Sequence, residues 1–328
     1  MEKKKKTISV IGASGAVGKE IVRLLIERRF PFKKLLLFGS SQSAGKRIFS
    51  RPVKELATLE GVDLAFFAAG NEISKEWIPK AECTCIDSSS VFRKTFPLII
   101  PEINAHAMQG NRFASPNCVA TLLLMPLFPL HQKLRAKRII LSTYQAASGA
   151  GYPMMKHLEN ETKACLKKRA FPPLLPFPYA FNLFPHNSEL DHSGYVDEEI
   201  KIREETQIIL EDNKLQISAT CVRVPVLRAH SLSVNVEFAK PFSLPDIYHI
   251  LSSQPGLQIF ENRGKNRFPT PWDATGKEDV YCGRFRLDPT RKNTLEFWVV
   301  GDQLLKGAAL NAVQIAERCM MNQPAAKK

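Results

Sequence analysis

Cys118 stands in the stretch RFASPNCVATLLL, directly after a proline and an asparagine and directly ahead of an apolar run. Ser115 or Asn117 could cap a helix that starts at this point. A thiol in the first turn of a helix lies at the positive end of the helix dipole, which favours the thiolate, a nucleophile near neutral pH. Most cysteines, however, are small buried residues without chemistry. The stretch by itself therefore favours a buried thiol, unless other residues supply partners for a nucleophile.

Several polar side chains could be such partners. Arg223 lies on a strand in CVRVPVLRAHS, where the carboxylate of a small molecule would suit it. His230 follows seven residues later, although a lone histidine is more often structural. Glu198 and Lys201 share a helix face in DEEIK, which a surface ion pair would also explain. Gln145 ends a strand beside the small residues of STYQAASGAG, a turn that could admit a nicotinamide or simply pack.

The N-terminal region predicts a dinucleotide site. TISVIGASGAVGKEIVRLLIERR indicates a strand, a glycine-rich turn and an amphipathic helix, the βα unit that opens a doubly wound sheet. The turn has GxxGxxG spacing, with Gly12, Gly15 and Gly18. Bare backbone lets a pyrophosphate approach, and the helix N-terminus meets its charge. A purely structural tight turn is the alternative.

The second strand, in KKLLLFGSSQSAGKR, favours NADP(H) over NAD. An NAD site usually ends this strand in Asp or Glu, which holds the ribose 2′-hydroxyl. Here Gly39, Ser40 and Ser41 occupy the position, and Lys46 and Arg47 follow. Hydroxyls and cations suit a 2′-phosphate instead.

A chain of 328 residues exceeds the usual size of a single core, so we expect two domains. The pattern changes near residue 122, where strands in KRIILSTYQ, ISATCVRVPV, SLSVNVEF and NTLEFWVVGD begin to alternate with helices and a proline-rich loop. The last helical segment, QLLKGAALNAVQIAE, is expected to return to the first domain. We predict one domain over 1–121, completed by a helix at 304–322, and a second over 122–303.

The composition sets limits on partners. Forty-six basic and 32 acidic residues leave a net charge of +14, which suits nucleic acid, an anionic membrane or small anions. The basic runs at 3–6, 167–169 and 327–328 are typical of solvated tails and faces, and no basic stripe is interleaved with aromatic residues, so no nucleic-acid partner is expected. The most apolar run, VATLLLMPLFPL, is too short to span a bilayer, so no membrane partner is expected.

The seven cysteines are scattered and odd in number, which argues for reduced thiols and a cytoplasmic location. The N-terminus lacks the apolar stretch of a signal peptide. Cys83 and Cys85 have neither CxxC spacing nor a second pair nearby, so no metal site is predicted.

The motifs, in their order and spacing, resemble those of the aspartate-semialdehyde dehydrogenase family over nearly the whole chain. They are GASGAVGKE, SSQSAGK, SSVFR, PEIN, SPNCVAT, STYQAASGAG, EEIK, TCVRVPVLRAHS and GDQLLKGAALNAVQIAE. The resemblance implies an α/β fold with a Rossmann-type doubly wound NADP-binding domain. It further implies an α+β catalytic and dimerisation domain, like the C-terminal domain of glyceraldehyde-3-phosphate dehydrogenase, and a homodimer.

The resemblance also implies site residues. Cys118 matches the nucleophile that forms an acyl thioester, His230 the acid–base catalyst, and Gln145 the residue that positions the acyl group. Arg223 matches the arginine that binds the substrate α-carboxylate, and Glu198 the residue that meets the amino group. The residues that match phosphate binders are Arg93, Lys201 and Asn117. The residues that match cofactor contacts are Gly12, Ser14, Gly15, Ala16, Val17, Ser40, Ser41, Ser148, Gly149 and Gln303, with asparagine common in relatives at the last position.

The implied reaction is the NADPH-dependent reductive dephosphorylation of L-aspartyl 4-phosphate to L-aspartate 4-semialdehyde. Two alternatives stay open. An N-acetyl-glutamyl-phosphate reductase has a similar fold, but its acetylated substrate amine would not call for a carboxylate such as Glu198. A non-catalytic paralogue that binds cofactor, nucleic acid or protein is disfavoured, because Cys118, Gln145, Arg223 and His230 are all present.

Overall fold

The computed structural model describes residues 5–321, which form two compact units. The first unit runs to Pro116 and includes the chain from Ala308 onward, and the second spans Asn117–Gly307. The predicted domain bounds differ from these by a few residues and stay a prediction. Residues 3, 4, 327 and 328 of the basic runs, and position 322 of the predicted last helix, lie outside the described residues.

The described strands are β1 (Lys6–Ile11), β2 (Phe32–Gly39), β3 (Arg47–Ile48), β4 (Arg51–Glu55), β5 (Leu64–Phe67), β6 (Thr84–Asp87), β7 (Arg112–Ala114), β8 (Ala136–Gln145), β9 (Phe184–Pro185), β10 (Gln216–Arg223), β11 (His230–Phe238), β12 (Leu257–Ile259), β13 (Val280–Leu287) and β14 (Thr294–Gly301). The described α-helices are α1 (Ala16–Glu27), α2 (Asn71–Trp77), α3 (Pro101–Asn104), α4 (Cys118–Leu134), α5 (Tyr152–Leu166), α6 (Asp197–Leu210), α7 (Leu244–Leu251), α8 (Pro271–Ala274) and α9 (Leu310–Met321).

The first unit is built on one sheet in the order β3-β4-β2-β1-β5-β6-β7, parallel except for the short β3–β4 pair. Its central strands are apolar on both faces, as parallel strands covered by helices must be. Helix α9 packs beside α1, where the guanidinium of Arg28 bonds both carboxylate oxygens of Glu317 at 2.8 and 2.9 Å. The predicted doubly wound sheet is confirmed. Helix α9 belongs to the same unit as this sheet, and the predicted domain division that includes a C-terminal helix stays a prediction.

The second unit is a mixed sheet in the order β12-β13-β14-β11-β8-β10-β9. Helix α4 packs against β8, β11, β13 and β14 and is buried on nearly all sides. Pro126 and Pro129 lie inside it and remove two N–H donors, yet packing sustains the helix. The opposite face of the sheet is partly open, with Ile140 and Tyr144 of β8 exposed. An α+β arrangement is therefore confirmed.

Two of the elements that differ from the sequence patterns lie in or next to the second unit. The C-terminal segment predicted as one helix begins with a π-helical turn at Leu305–Ala309 and continues as α9. Strand β13 has no counterpart in the prediction, because its register shifts between Gly283 and Arg286, and Arg284 has a φ of 58°. This bulge breaks the alternation that would have revealed the strand.

Candidate active site

The glycine-rich turn of the first unit follows β1. The strand order reverses at this point, because β2 pairs with one side of β1 and β5 with the other. Gly12 has a φ of +83°, and its N–H bonds the carbonyl of Phe38 at 2.9 Å. A Cβ on Gly12 would stand 2.4 Å from the carbonyl oxygen of Ala68, and one on Gly18 would stand 2.1 Å from that of Gly12. Both positions therefore require glycine, and the turn has the close backbone packing of a dinucleotide loop.

The start of α1 suits an anion. Gly15 is its N-cap, and among the described residues no side chain caps the helix and no acidic residue lies in its first turn. Its N–H groups can therefore meet a pyrophosphate. The predicted contacts Ser14, Ala16 and Val17 line this turn and are half-buried.

The remaining predicted residues of the first unit lie at the ends of other strands. Ser40 and Ser41, both exposed, follow β2 and open a 3₁₀ turn. Ser14 approaches the end of β2, because its Oγ would be 3.4 Å from a Cβ built on Gly39. Arg93 is half-buried, and its Nε donates to the carbonyl of Ser89 at 3.1 Å. The positions of Ser14, Ser40 and Ser41 are consistent with a cofactor that passes the carboxyl ends of the strands, whereas Arg93 stays a predicted binder of the substrate phosphate.

In the second unit, half-buried Cys118 is the first residue of α4, as predicted. Asn117 is the N-cap: its Oδ1 accepts from the N–H groups of Val119 and Ala120 at 2.8 and 3.2 Å. Gly307 leaves room for the cysteine, since a Cβ there would be 2.7 Å from the Cβ of Cys118. The sulfur-bearing residue therefore sits in the first turn of a capped helix, where the dipole favours the thiolate.

Glu198 of α6 forms hydrogen bonds with two of the other predicted residues. Its carboxylate accepts from Nδ2 of Asn117 at 3.0 Å and from Nε2 of Gln145 at 2.8 Å. Burial raises the pKa of Glu198, but His186, the two hydrogen bonds and Arg223 outweigh it and hold the pKa below its usual value. The carboxylate is therefore ionised at neutral pH, as binding of a substrate amine would require.

The same helix contributes a carboxylate that sequence reasoning missed. Glu205, buried and two turns beyond Glu198, accepts a short hydrogen bond from the backbone N–H of Asn117. Its i+7 spacing from Glu198 on one helix face was the available signal. The two carboxylates of α6 thus hold the residue that precedes the cysteine by both its backbone and its side chain.

His230 and Arg223 lie close to Gly149. A Cβ on Gly149 would stand 2.9 Å from Nη1 of Arg223 and 3.0 Å from Nε2 of His230. His230 is fully buried, and its Nδ1 accepts from the N–H of Ala146 at 3.0 Å, whereas its Nε2 has no hydrogen-bond partner in the described part of the chain. Burial lowers the pKa of His230 well below its ordinary value, and Arg223 and His186 lower it further.

Because Nδ1 accepts a hydrogen bond, neutral His230 carries its proton on Nε2. The histidine therefore presents a donor to the space beside Gly149. Arg223 is buried, and its Nη1 donates to the carbonyl of Ala146 at 3.3 Å. Within residues 5–321 no carboxylate forms an ion pair with it, so its charge suits an anionic ligand.

Three other predicted residues, Gln303, Ser148 and Lys201, bond to other side chains of the protein. Gln303 is buried; its Nε2 bonds Oγ of Ser148, and its Oε1 accepts from the N–H of Ala229 at 3.0 Å. The side chain of Gln303 thus connects the segment of Ser148 with the segment of Ala229. Lys201 forms its ion pair with Asp197, one turn earlier on α6, and not with Glu198. His186 beside Arg223 was not predicted, because nothing in the spacing of its proline-rich segment indicates it.

Within residues 5–321, no group of three or more His, Cys, Asp and Glu side chains is arranged to hold a metal ion. None of the helices in this range is long and apolar enough to cross a membrane.

Known proteins resemble the chain over both units. Residues 7–111 match the family model described as semialdehyde dehydrogenase, NAD binding domain, and residues 127–306 match semialdehyde dehydrogenase, dimerisation domain. The aspartate-semialdehyde dehydrogenase of Synechocystis sp. is 44% identical over 94% of this chain and 96% of its own length. That of Rickettsia conorii is 40% identical over 97% and 99%.

A solved structure of a protein with the same name is also similar to this chain. Aspartate semialdehyde dehydrogenase II from Vibrio cholerae, complexed with ASA, superposes with a TM-score of 0.92 at 35% identity, covering 98% of this chain and 100% of that one. These similarities confirm the resemblance read from the motifs and favour it over an N-acetyl-glutamyl-phosphate reductase. The chain therefore belongs to the aspartate-semialdehyde dehydrogenase family.

Proposed function

We propose that the chain catalyses the NADPH-dependent reductive dephosphorylation of L-aspartyl 4-phosphate to L-aspartate 4-semialdehyde, in the biosynthesis of lysine through diaminopimelate, of threonine and of methionine. The observation that carries this proposal is the hydrogen-bonded set of Asn117, Gln145 and ionised Glu198 at the start of the Cys118 helix. A carboxylate held there suits a free substrate amine. Membership of the family supports the same reaction.

Cys118 is the nucleophile of the proposed mechanism. Its thiolate attacks the acyl carbon, the bond to the phosphate oxygen breaks, and an acyl thioester remains on the sulfur. Arg93, Lys201 and Asn117 bind the phosphate, and Arg223 and Glu198 hold the α-carboxylate and the amino group. Gln145 positions the acyl group, with an Oε1 that has no hydrogen-bond partner among the described residues. The substrate is thus oriented at both ends.

His230 acts on the acyl oxygen. Its Nε2–H donates to the oxygen that becomes negative during reduction, and the thiohemiacetal then collapses to the aldehyde and the Cys118 thiolate. The reduced nicotinamide supplies the hydride for this step. Gly12, Ser14, Gly15, Ala16 and Val17 are proposed to hold its pyrophosphate, and Ser40 and Ser41 to meet a 2′-phosphate. Ser148, Gly149 and Gln303 complete the proposed contacts.

We also propose a homodimer in the cytoplasm. The match to a dimerisation domain supports the dimer, as does the partly open sheet face where Tyr144 packs on Trp298 with ring centroids 5.4 Å apart. Neither nucleic acid nor membrane is among the proposed partners.

The test is an assay of the purified protein with L-aspartate 4-semialdehyde and phosphate, following reduction of NADP and, separately, of NAD. We expect turnover with a preference for NADP, and a loss of at least about 10⁴-fold in Cys118→Ala. N-acetyl-glutamate semialdehyde serves as the control substrate. No turnover by the wild type, or full turnover by Cys118→Ala, would overturn the proposal.

A further inference from the structure

His186 contacts the arginine proposed to bind the substrate carboxylate. It follows β9 directly, and its N–H donates to the carbonyl of Cys221 in β10 at 2.8 Å. This backbone bond brings its imidazole beside Arg223, two residues further along β10. Nη2 of Arg223 lies 2.7 Å from Nε2 of His186, and both side chains are buried.

The chemistry of the pair assigns the tautomer of the histidine. A guanidinium can only donate, so Nε2 of His186 must hold the lone pair and Nδ1 the proton. Nδ1 lies 3.0 Å from Oγ of Ser188, which can accept that proton. The backbone N–H of Ser188 also points at Nδ1, at 3.2 Å, but the shorter contact from the charged guanidinium at Nε2 is the stronger of the two and decides the tautomer. Burial and then Arg223 lower the pKa of His186 to about 4, so the imidazole stays neutral at neutral pH.

Ser188 connects His186 to the other end of the proposed substrate site. Its Oγ also accepts from the backbone N–H of Glu198, in the first turn of α6, at 3.2 Å. One short chain of hydrogen bonds therefore runs from the guanidinium of Arg223, through His186 and Ser188, to the residue whose carboxylate is proposed to meet the amine. Neither His186 nor Ser188 needs to touch the substrate to affect both contacts.

We propose, on the basis of the function proposed above, that His186 is a positioning residue that sets the place of the Arg223 guanidinium relative to Glu198. It thereby adapts the site to substrates that carry a carboxylate and an amine on one carbon. Arg223 keeps its charge without His186, but its guanidinium loses one of its two fixed contacts. The carboxylate of the substrate then meets a less ordered partner.

The test compares His186→Leu, which removes the acceptor, with His186→Gln, whose amide oxygen can still accept from Arg223. We expect the KM for L-aspartate 4-semialdehyde to rise roughly 10- to 100-fold in His186→Leu, the range for a hydrogen bond to a charged group. kcat should fall less, and the KM values for phosphate and NADP should stay within about twofold. His186→Gln should recover most of the loss. His131→Leu, another buried histidine of the second unit, is the matched control.

A second arm places His186→Leu in an Arg223→Leu background, where we expect little further loss because the histidine acts through the arginine. An unchanged KM in His186→Leu, no recovery in His186→Gln, or a full additional loss in the double variant would each overturn the proposal. Turnover by the wild type separates this outcome from failure of the proposed function. Circular dichroism verifies that each variant is folded.

Discussion

At the scale of single residues, Gly149 shows how little room the site has. Its φ is not in the left-handed region, so alanine fits the backbone, but a Cβ would press on Arg223 and His230 at 2.9 and 3.0 Å. We predict that Gly149→Ala lowers kcat/KM roughly 100-fold, because it displaces Arg223 and His230, the donors proposed to contact the substrate. The thermal midpoint should change little. Steady-state kinetics and thermal unfolding are the two measurements.

The matched control is an alanine at Gly264, where a Cβ meets only the Oδ1 of Asn262 at 3.8 Å. That variant should retain wild-type kinetics. Wild-type activity in Gly149→Ala would show that the space beside His230 is not used in the reaction.

At the scale of elements, one residue at the start of α4 combines a helix cap with a contact that is proposed to matter for activity. Asn117 caps the helix through Oδ1 and bonds Glu198 through Nδ2, so different substitutions separate the two effects. We predict that Asn117→Ala lowers the free energy of unfolding by about 1 kcal/mol or more, whereas Asn117→Ser, a good cap, loses less than about 0.5 kcal/mol. Both should lose about tenfold or more in kcat/KM, because neither donates to the buried carboxylate.

Urea unfolding and steady-state kinetics on the two variants check this separation. If the serine variant kept wild-type activity, the bond to Glu198 would have no role in catalysis. If alanine and serine were equally destabilising, the cap would not be what stabilises the helix start.

At the scale of the whole molecule, buried histidines make the free energy of unfolding depend on pH. Burial lowers the pKa values of His131, His186 and His230 below the ordinary value. The unfolded chain takes up protons near pH 6.5 that the native chain does not, so stability is greatest above about pH 6.5 and falls as the pH drops. Each such proton contributes about 1.4 kcal/mol per pH unit.

We therefore predict a lower free energy of unfolding at pH 5.5 than at pH 7.5, measured by urea denaturation. His131→Leu should reduce that difference, because one titrating group is removed. The carboxylates with lowered pKa values, such as Glu198, matter only below about pH 4.5. Equal stability at the two pH values, or an unchanged difference in His131→Leu, would contradict the prediction.

Some of the site was predictable because it depends on local sequence. The positive φ of Gly12, the close approach of Gly18 to Gly12 and the helix start at Cys118 follow from backbone geometry within a few residues, and the structure agrees. The alternation of β8, β10 and β11 likewise indicated buried strands. The bulged strand β13 was missed because its alternation is interrupted.

The sequence by itself determined the family and the fold class and indicated most of the candidate site residues, because motif order and local periodicity are properties of the chain. Only the tertiary structure decided which side chains meet: that Glu198 accepts from both Asn117 and Gln145, that Glu205 holds the peptide before Cys118, and that His186 lies against Arg223. The physical reason is that hydrogen bonds between residues 37 to 88 positions apart depend on how strands and helices pack, which no local pattern records.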